Sequence, residues 1–148
     1  MFRRFAVLFL TAMLVVSSFA ISACATPQHE EMAITMAGMD TMPMQVQRQS
    51  HRVSQAYRFA AANAEILQHM PCYCGCGPIG HKNNYDCYVA GIDPAGVVVF
   101  DPHALGCQIC VDITQDAMRF TREGRSLLSL QQHVDRSYSR YGPTNLVQ

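Results

Sequence analysis

The sequence predicts a mainly α-helical protein, a small three-helix domain with one short β-hairpin and a cysteine-rich loop. Two observations predict this fold class. Apolar residues recur at spacings of three and four in three separate stretches, which is the period of a helix with one buried face. Only one pair of short β-branched or aromatic runs flanks a turn signal. Because the cysteines gather between these elements, we expect the fold to be organised around sulfur.

The N-terminus has the pattern of an export signal. Arg3 and Arg4 precede the apolar run 5–19, which is too short for a comfortable membrane span. The following Ile21-Ser22-Ala23-Cys24 resembles the lipobox of bacterial lipoproteins, whose cysteine is lipidated and becomes the new N-terminus. We therefore predict a lipoprotein signal peptide at 1–23 and a lipid anchor on Cys24. An ordinary signal peptide with a chance cysteine is the alternative. The predicted location is the cell envelope, on its periplasmic or extracytoplasmic face.

Length, charge and cysteine count bound the function of the exported part. The 125 residues after the predicted cleavage point suffice for one domain. Nine Lys and Arg face eleven Asp and Glu there, and no basic run occurs, so nucleic acid is not an expected partner. Six cysteines remain besides the lipidation site. An even number in an exported chain also fits three disulfides, for which fifteen pairings exist.

Residues 24–45 are predicted to form a flexible tether between the membrane and a cysteine-rich helical metal-binding domain at 46–148. The segment contains proline and glycine and little that could build a core. It is also rich in methionine, whose thioether is a soft ligand that suits Cu(I). We predict auxiliary metal capture by its methionines, with a linker of no chemical consequence as the alternative: Met32, Met36, Met39, Met42 and Met44.

The first helix is predicted over 47–70. One face carries apolar residues at spacings of four, three, four and three, and Pro71 ends the run. These residues are Val53, Tyr57, Ala60, Ala64 and Leu67.

The later elements are a hairpin and two helices. Runs 87–92 and 97–100 flank an Asp-Pro-Ala-Gly turn. A second helical region is predicted from Asp101 to about Arg122, and a third follows Ser126 as its N-cap. The apolar positions that we expect to face inward are Ile109, Ile113, Ala117 and Phe120 in the second helix, and Leu127, Leu130, Val134 and Tyr138 in the third.

The heptad Pro71 to Gly77 has the highest density of cysteines in the sequence. In extended backbone the positions i, i+2 and i+4 point to one side, so Cys72, Cys74 and Cys76 can converge on one centre. Gly75 and Gly77 permit the backbone to curl around that centre. The heptad is therefore a candidate thiolate site.

Two further groups can complete this site. Cys107 and Cys110 form a C-x-x-C pair at the start of the second helix, where i and i+3 share a face and free N–H groups stabilise thiolates. Cys87 enters from the hairpin as a sixth sulfur. His81 and His103 flank the second and third cysteine groups and are candidate ligands, or hydrogen-bond partners of cysteine sulfur or of a nearby carboxylate.

These motifs resemble the bacterial PCYCGC-motif family of exported proteins and lipoproteins. The heptad matches the motif that names the family, and His81, Asp86-Cys87-Tyr88, Asp101-Pro102-His103 and the C-x-x-C pair resemble its downstream pattern. The resemblance covers roughly residues 53–141. It implies export and a cysteine and histidine site, and it implies no particular reaction.

The donor set favours a soft metal. Zinc prefers four ligands in two pairs, which leaves two sulfurs over, and the spacings of iron–sulfur sites are absent apart from one C-x-x-C. Cu(I) accepts two or three thiolates and can share them between ions. Copper is therefore the expected ion, with zinc, other soft or redox metals and three disulfides as the alternatives.

The predicted protein is a binding module rather than an enzyme. It would sequester Cu(I) or deliver it to a copper-accepting protein. A thiol–disulfide oxidoreductase that uses Cys107 and Cys110 is the enzymatic alternative, and a structural module stapled by disulfides or zinc is the third. A thioredoxin-like enzyme would place its C-x-x-C among strand–helix–strand units, which the sequence does not predict.

Overall fold

A computed structural model describes residues 31–146 as helices packed around a core that includes the cysteine-rich region. The α-helices within this range are α1 (Met44–Gln47), α2 (His51–Ala62), α3 (Ala64–Leu67), α4 (Gln108–Arg122) and α5 (Leu127–Tyr138). The strands β1 (Val89–Ile92) and β2 (Val98–Phe100) form one antiparallel hairpin. The predicted fold class is confirmed. None of the helices in this range is long and apolar enough to cross a membrane. The predicted signal peptide and Cys24 lie outside the described residues.

The predicted first helix, 47–70, is shorter than expected and divided into α2 and α3, and only its first residue, Gln47, belongs to α1. Asn63 interrupts it between α2 and α3, with backbone angles far from helical values. Its buried side-chain Nδ2 donates to the carbonyl oxygen of Phe59, the acceptor that a continuing helix would offer to the Asn63 backbone N–H. Arg48 to Ser50 separate α1 from α2. The predicted stripe still packs inward, with Tyr57, Ala60 and Leu67 buried.

Residues 32–45 differ from the expected flexible tether because they pack against the helices. The N–H of Met32 donates to the carbonyl oxygen of Arg122 at 2.8 Å, which satisfies an acceptor at the C-terminus of α4. Ala37 and Arg58 exchange two hydrogen bonds, at 3.0 and 2.7 Å. Asn63 Nδ2 also donates to the carbonyl oxygen of Thr35 at 2.9 Å. The segment is therefore attached to the domain by its own backbone.

The hairpin lies where the turn signal predicts it. Val89 pairs with Phe100 and Ile92 with Val98, with a bulge between Val89 and Gly91. The turn is closed by Gly96, whose N–H donates to the carbonyl oxygen of Asp93 at 2.9 Å. Cys87 does not belong to the strand, because it ends a short 3₁₀ turn, Tyr85–Cys87, that precedes β1.

Helix α4 begins seven residues later than predicted. A 3₁₀ turn, His103–Leu105, follows Asp101, and Gly106 then leaves helical geometry, as a residue of low helix propensity readily does. Of the predicted stripe, Ile113, Ala117 and Phe120 are buried, while Ile109 is partly exposed.

Helix α5 has the predicted N-cap, because Ser126 Oγ accepts the Ser129 N–H at 3.2 Å. Leu130 and Val134 are buried, and Tyr138 is partly buried. Leu127 is 40% exposed and does not face inward, because it stands at the first position of the helix, where the chain leaves the core.

Asp116 ties α4 to α5. Its carboxylate accepts hydrogen bonds from Tyr138 at 2.8 Å and Arg119 at 2.6 Å, and it lies 2.9 Å from His133 Nε2. Burial alone would raise the pKa of this carboxyl, but the contacts with Arg119, Tyr138 and His133 outweigh burial and hold the pKa below its ordinary value. The ionised form is therefore favoured by folding.

Asp116→Asn is expected to destabilise the fold by about 1–3 kcal/mol at neutral pH, because it removes charge-assisted hydrogen bonds. A carboxyl with a lowered folded-state pKa stabilises the fold above its unfolded pKa of about 4 and loses that contribution as pH falls through the folded value. The deficit of the variant in urea unfolding should therefore shrink below about pH 4. Asp112→Asn is the control, since its exposed pair with Arg52 is worth about 0–1 kcal/mol. Equal losses in both variants would contradict this role.

Candidate metal centre

The heptad forms an irregular loop that turns three thiols toward one region. Gly75 has φ +80, a left-handed conformation that disfavours a side chain, and it reverses the chain between Cys74 and Cys76. Cys72 and Cys76 are buried, while Cys74 is partly exposed. The predicted convergence of the three cysteines is observed, although it arises from this glycine turn rather than from a regular extended strand.

Sulfurs from three chain segments meet in space. Cys72 Sγ lies 3.4 Å from Cys74 Sγ and 3.6 Å from Cys110 Sγ, and Cys110 Sγ lies 3.7 Å from Cys74 Sγ. Cys87 Sγ lies 3.8 Å from Cys76 Sγ and 4.0 Å from Cys72 Sγ. Thiolates that share one tetrahedral ion at about 2.3 Å lie about 3.8 Å apart. The sulfur separations therefore suit a common ion, and none of the six cysteines within residues 31–146 forms a disulfide.

The C-x-x-C pair occupies the N-terminus of α4. Cys107 is the N-cap residue and Cys110 lies in the first turn, with 2.9 Å between the two sulfurs. This position places free backbone N–H groups near the sulfurs, where they favour thiolates. Cys110 is buried and Cys107 is partly exposed.

Both predicted histidines join the sulfur cluster. His103 Nε2 lies 3.4 Å from Cys74 Sγ, and the rings of His81 and His103 meet edge to face with centroids 5.0 Å apart. His81 is buried, and its Nδ1 has no hydrogen-bond partner among the described residues. A buried ring nitrogen without a partner costs free energy unless something binds it. His81 Nδ1 is thus a candidate metal donor.

Asp101 orients the two histidines. Its Oδ1 accepts the backbone N–H of His103 at 2.7 Å, and its Oδ2 lies 3.4 Å from His81 Nε2. Tyr57 holds Asp101 in turn, because its hydroxyl donates to the Asp101 carbonyl oxygen at 2.7 Å. A carboxylate behind one ring nitrogen leaves the other nitrogen free for a metal, which is the usual arrangement around ligating histidines.

Asp101→Asn is expected to lower metal affinity by about 10–100-fold, the usual cost of losing the partner of a ligating histidine. The amide keeps the shape but removes the negative charge that lies 3.4 Å from His81 Nε2. Competition with a metal chelator measures the affinity. Asp93→Asn serves as the control, because Asp93 uses its carboxylate only within the hairpin turn. Unchanged affinity in Asp101→Asn would show that Asp101 does not act on the centre.

The donor atoms fall into three overlapping groups of four, and within each group all atoms lie within 4.8 Å of one another. The cysteines and histidines are therefore positioned to hold a metal ion. The groups are Cys72, Cys74, Cys76 and Cys87; Cys74, His103, Cys107 and Cys110; and Cys76, His81, Cys87 and His103.

The pKa values of the clustered thiols are shifted in different directions. Contacts with Cys107, Cys110 and Cys72 stabilise a thiolate at Cys74 and lower its pKa. The contact with Cys110 lowers the pKa of Cys72 to about 7, whereas the contacts of Cys110 with Cys107 and Cys72 raise the pKa of Cys110. Because metal ligands must be thiolates, binding has to displace the proton of Cys110. The thiolate is thus favoured at Cys74 and the protonated thiol at Cys110.

The C-terminal residues hold the heptad in place, which sequence reasoning missed. Asn145 Oδ1 accepts the Cys72 N–H at 2.7 Å, and its Nδ2 lies 3.4 Å from Cys76 Sγ and donates to the His81 carbonyl oxygen at 3.1 Å. Gly142 lies so close to the heptad that a Cβ there would stand 3.0 Å from the Tyr73 carbonyl oxygen. The only sequence signal was a Gly-Pro followed by a polar residue, which is also typical of an ordinary chain end.

The five methionines do not form one group. Met42 is buried in the core and Met36 is partly buried against it, so these two pack against apolar neighbours. Met32, Met39 and Met44 are exposed. These last three are the most solvent-exposed of the five.

The arrangement offers little to the oxidoreductase alternative. The described residues contain a single two-stranded sheet, so the C-x-x-C lacks strand–helix–strand surroundings. The contact with Cys110 lowers the pKa of Cys107, but Cys74 and burial raise it, and the net result is a pKa of about 11. A nucleophilic cysteine requires the opposite shift.

Fold and site together define a small helical domain in which three cysteine-bearing segments surround one candidate metal centre. The chain belongs to the family described as protein of unknown function with PCYCGC motif, whose model matches residues 13–146. The predicted family membership is confirmed. Neither a curated protein nor a solved structure matches the chain.

Proposed function

We propose that this protein is an envelope lipoprotein that binds Cu(I) and either sequesters it or delivers it to a copper-accepting protein. The observation that carries the proposal is the convergence of six free thiols and two histidines from three chain segments. Soft sulfur ligands select soft ions, and Cu(I) is the softest of the common candidates.

The number of donors favours copper over zinc. A structural zinc site uses four ligands, and the centre offers eight. Cu(I) tolerates low coordination numbers, and one thiolate can bind two Cu(I) ions. A cluster of adjacent sulfurs therefore suits Cu(I). The exposed thioethers of Met32, Met39 and Met44 offer weaker, solvent-facing capture sites close to the same domain.

Anaerobic titration of the reduced protein with Cu(I), against a competing copper chelator, tests the proposal. We expect stoichiometric binding that disappears when the thiols are alkylated. The same titration with Zn²⁺ identifies the alternative metal. Failure to bind more than trace Cu(I) with six thiols reduced would overturn the proposal. Three disulfides and no metal in protein taken directly from the cell envelope would favour the structural module instead.

The lipid anchor needs a separate test. Labelling of cells with a radioactive fatty acid is expected to mark the protein, and Cys24→Ala is expected to abolish the label and release the protein from membranes. Cys107→Ser, which leaves the lipobox unchanged, is the control. A labelled Cys24→Ala variant would contradict anchoring at this residue.

A further inference from the structure

The eight donor atoms divide into an outer and an inner set, and we propose that the centre holds two metal ions at once, with the outer position serving as the entry to the inner one. This inference rests on the proposed binding of Cu(I) and specifies how that site is used. It follows from which donors lie together, how deeply each is buried, and which donors two sets share.

The outer set faces solvent. It consists of one buried and three partly exposed residues: Cys110, with Cys74, His103 and Cys107. Cys107 and His103 stand at the start of α4 and in the 3₁₀ turn before it, at the surface of the domain. An ion can reach this set without opening the core.

The inner set is built on Cys76 and Cys87, which are buried with 3.8 Å between their sulfurs. Two pairs of donors complete this set, Cys72 with Cys74 or His81 with His103. His81 Nδ1, buried and without a partner in the described part of the chain, is the donor that most needs an ion here. The outer set contains neither Cys76 nor Cys87, so the two positions are distinct.

Coordination number requires the same division. Four ligands are the usual maximum around a tetrahedral ion, so a single ion would leave about half of the eight donors unused. A buried ring nitrogen without a partner, such as His81 Nδ1 in the described residues, is an expensive arrangement. Two ions, one in each set, engage seven of the eight donors and share one of them, Cys74 or His103.

Cys74 and His103 link the positions, because each belongs to the outer set and to one alternative of the inner set. An ion can therefore pass inward by ligand exchange while it stays bound to at least one of them. The ion remains Cu(I) throughout. Each bond to an inner sulfur replaces a bond to an outer one, and the proton of the inner thiol passes to the outer thiolate that is released.

The experiment compares Cys107→Ser with Cys87→Ser under anaerobic conditions, since a serine hydroxyl is a poor ligand for Cu(I). We expect two tightly bound ions in the parent protein and one in each variant. After loading, an excess of bicinchoninate should extract the inner ion of Cys107→Ser roughly tenfold or more slowly than the outer ion of Cys87→Ser, because extraction from the buried position has the higher barrier. His69→Gln is the control, because His69 is exposed, belongs to none of the three donor groups and hydrogen-bonds the Glu65 carbonyl oxygen.

The outcomes separate the two claims. If the parent protein binds no Cu(I), the proposed function fails. If it binds one ion at saturation, or if both variants release Cu(I) at the same rate, the two-position arrangement fails while the function stands.

His81→Gln provides a second inner variant. It is needed because Cys87 is buried, and circular dichroism could show that Cys87→Ser is unfolded. In His81→Gln we expect loss of nitrogen from the copper X-ray absorption spectrum and a faster-released inner ion, and an unchanged spectrum and rate would overturn the assignment of His81.

Discussion

Cys74→Ser is expected to lower the affinity for Cu(I) by about a hundredfold. Apparent binding free energies of four-ligand structural sites are about 10–16 kcal/mol, or about 3 kcal/mol per ligand, and each 1.4 kcal/mol is tenfold in affinity. Cys74 belongs to two of the three groups of donor atoms. Its sulfur lies 3.4 Å from Cys72 Sγ, 3.7 Å from Cys110 Sγ and 3.4 Å from His103 Nε2.

The low pKa of Cys74 adds to this effect. Contacts with Cys107, Cys110 and Cys72 favour its thiolate, so Cys74 is ready to bind when an ion arrives. Serine offers no thiolate and little softness. Cys74 is also partly exposed, so the fold should tolerate the change.

Chelator competition measures the affinity, and the Cu(I)-induced rise in the unfolding temperature provides an independent check, because a ligand that binds only the folded state stabilises it. Tyr73→Phe is the matched neighbour. It loses the hydrogen bond to Asp135 but keeps the sulfurs, so its affinity should not change. If Cys74→Ser binds Cu(I) as tightly as Tyr73→Phe, Cys74 is not a ligand.

Local structural features of this protein could be predicted from the sequence better than its tertiary contacts could. The helical periodicity of 108–122, the serine cap of α5 and the hairpin turn depend on neighbouring residues, and all three are observed. At the break, Asn63 Nδ2 bonds not only the nearby Phe59 carbonyl oxygen but also that of Thr35, 28 residues away, and no helical pattern reveals this second contact. Propensity was overridden there by a tertiary contact.

The candidate site shows the same limit. The cysteines and histidines could be proposed because their chemistry is visible in the letters. The groups that hold them could not, because Asn145 reaches Cys72 across 73 positions. No sequence pattern indicates that His81 Nδ1 lacks a hydrogen-bond partner among the described residues. Nor does any pattern indicate that Asp101 lies 3.4 Å from His81 Nε2. Such features depend on distances that only the folded chain defines.

A buried polar network supports the centre from behind, and its disruption is the other large effect that we expect. Asn84, Thr114 and Tyr88 are fully buried. Thr114 Oγ1 lies 2.8 Å from Asn84 Oδ1 and 2.8 Å from the Tyr88 hydroxyl, which donates to the Cys110 carbonyl oxygen at 2.8 Å. The network therefore links the loop before Cys87 to the first turn of α4.

Asn84→Leu is expected to destabilise the reduced, metal-free protein by about 2–3 kcal/mol. The substitution conserves most of the volume but leaves the Thr114 hydroxyl without its acceptor at Asn84, and buried polar groups that lose a partner cost about 1–3 kcal/mol each. Urea unfolding followed by circular dichroism measures the loss. Gln115→Ala, on the exposed side of the same helix, should stay within about 0.5 kcal/mol of the parent.

A double substitution distinguishes the network from simple repacking. Thr114→Val alone should also be costly, since it leaves Asn84 Oδ1 unpaired in the core. Asn84→Leu combined with Thr114→Val removes both partners, so its cost should fall below the sum of the single costs. Strict additivity would mean that the two side chains do not depend on each other. The Cys110 carbonyl oxygen keeps its bond from Tyr88 in every variant, so Cu(I) affinity should fall much less than in Cys74→Ser.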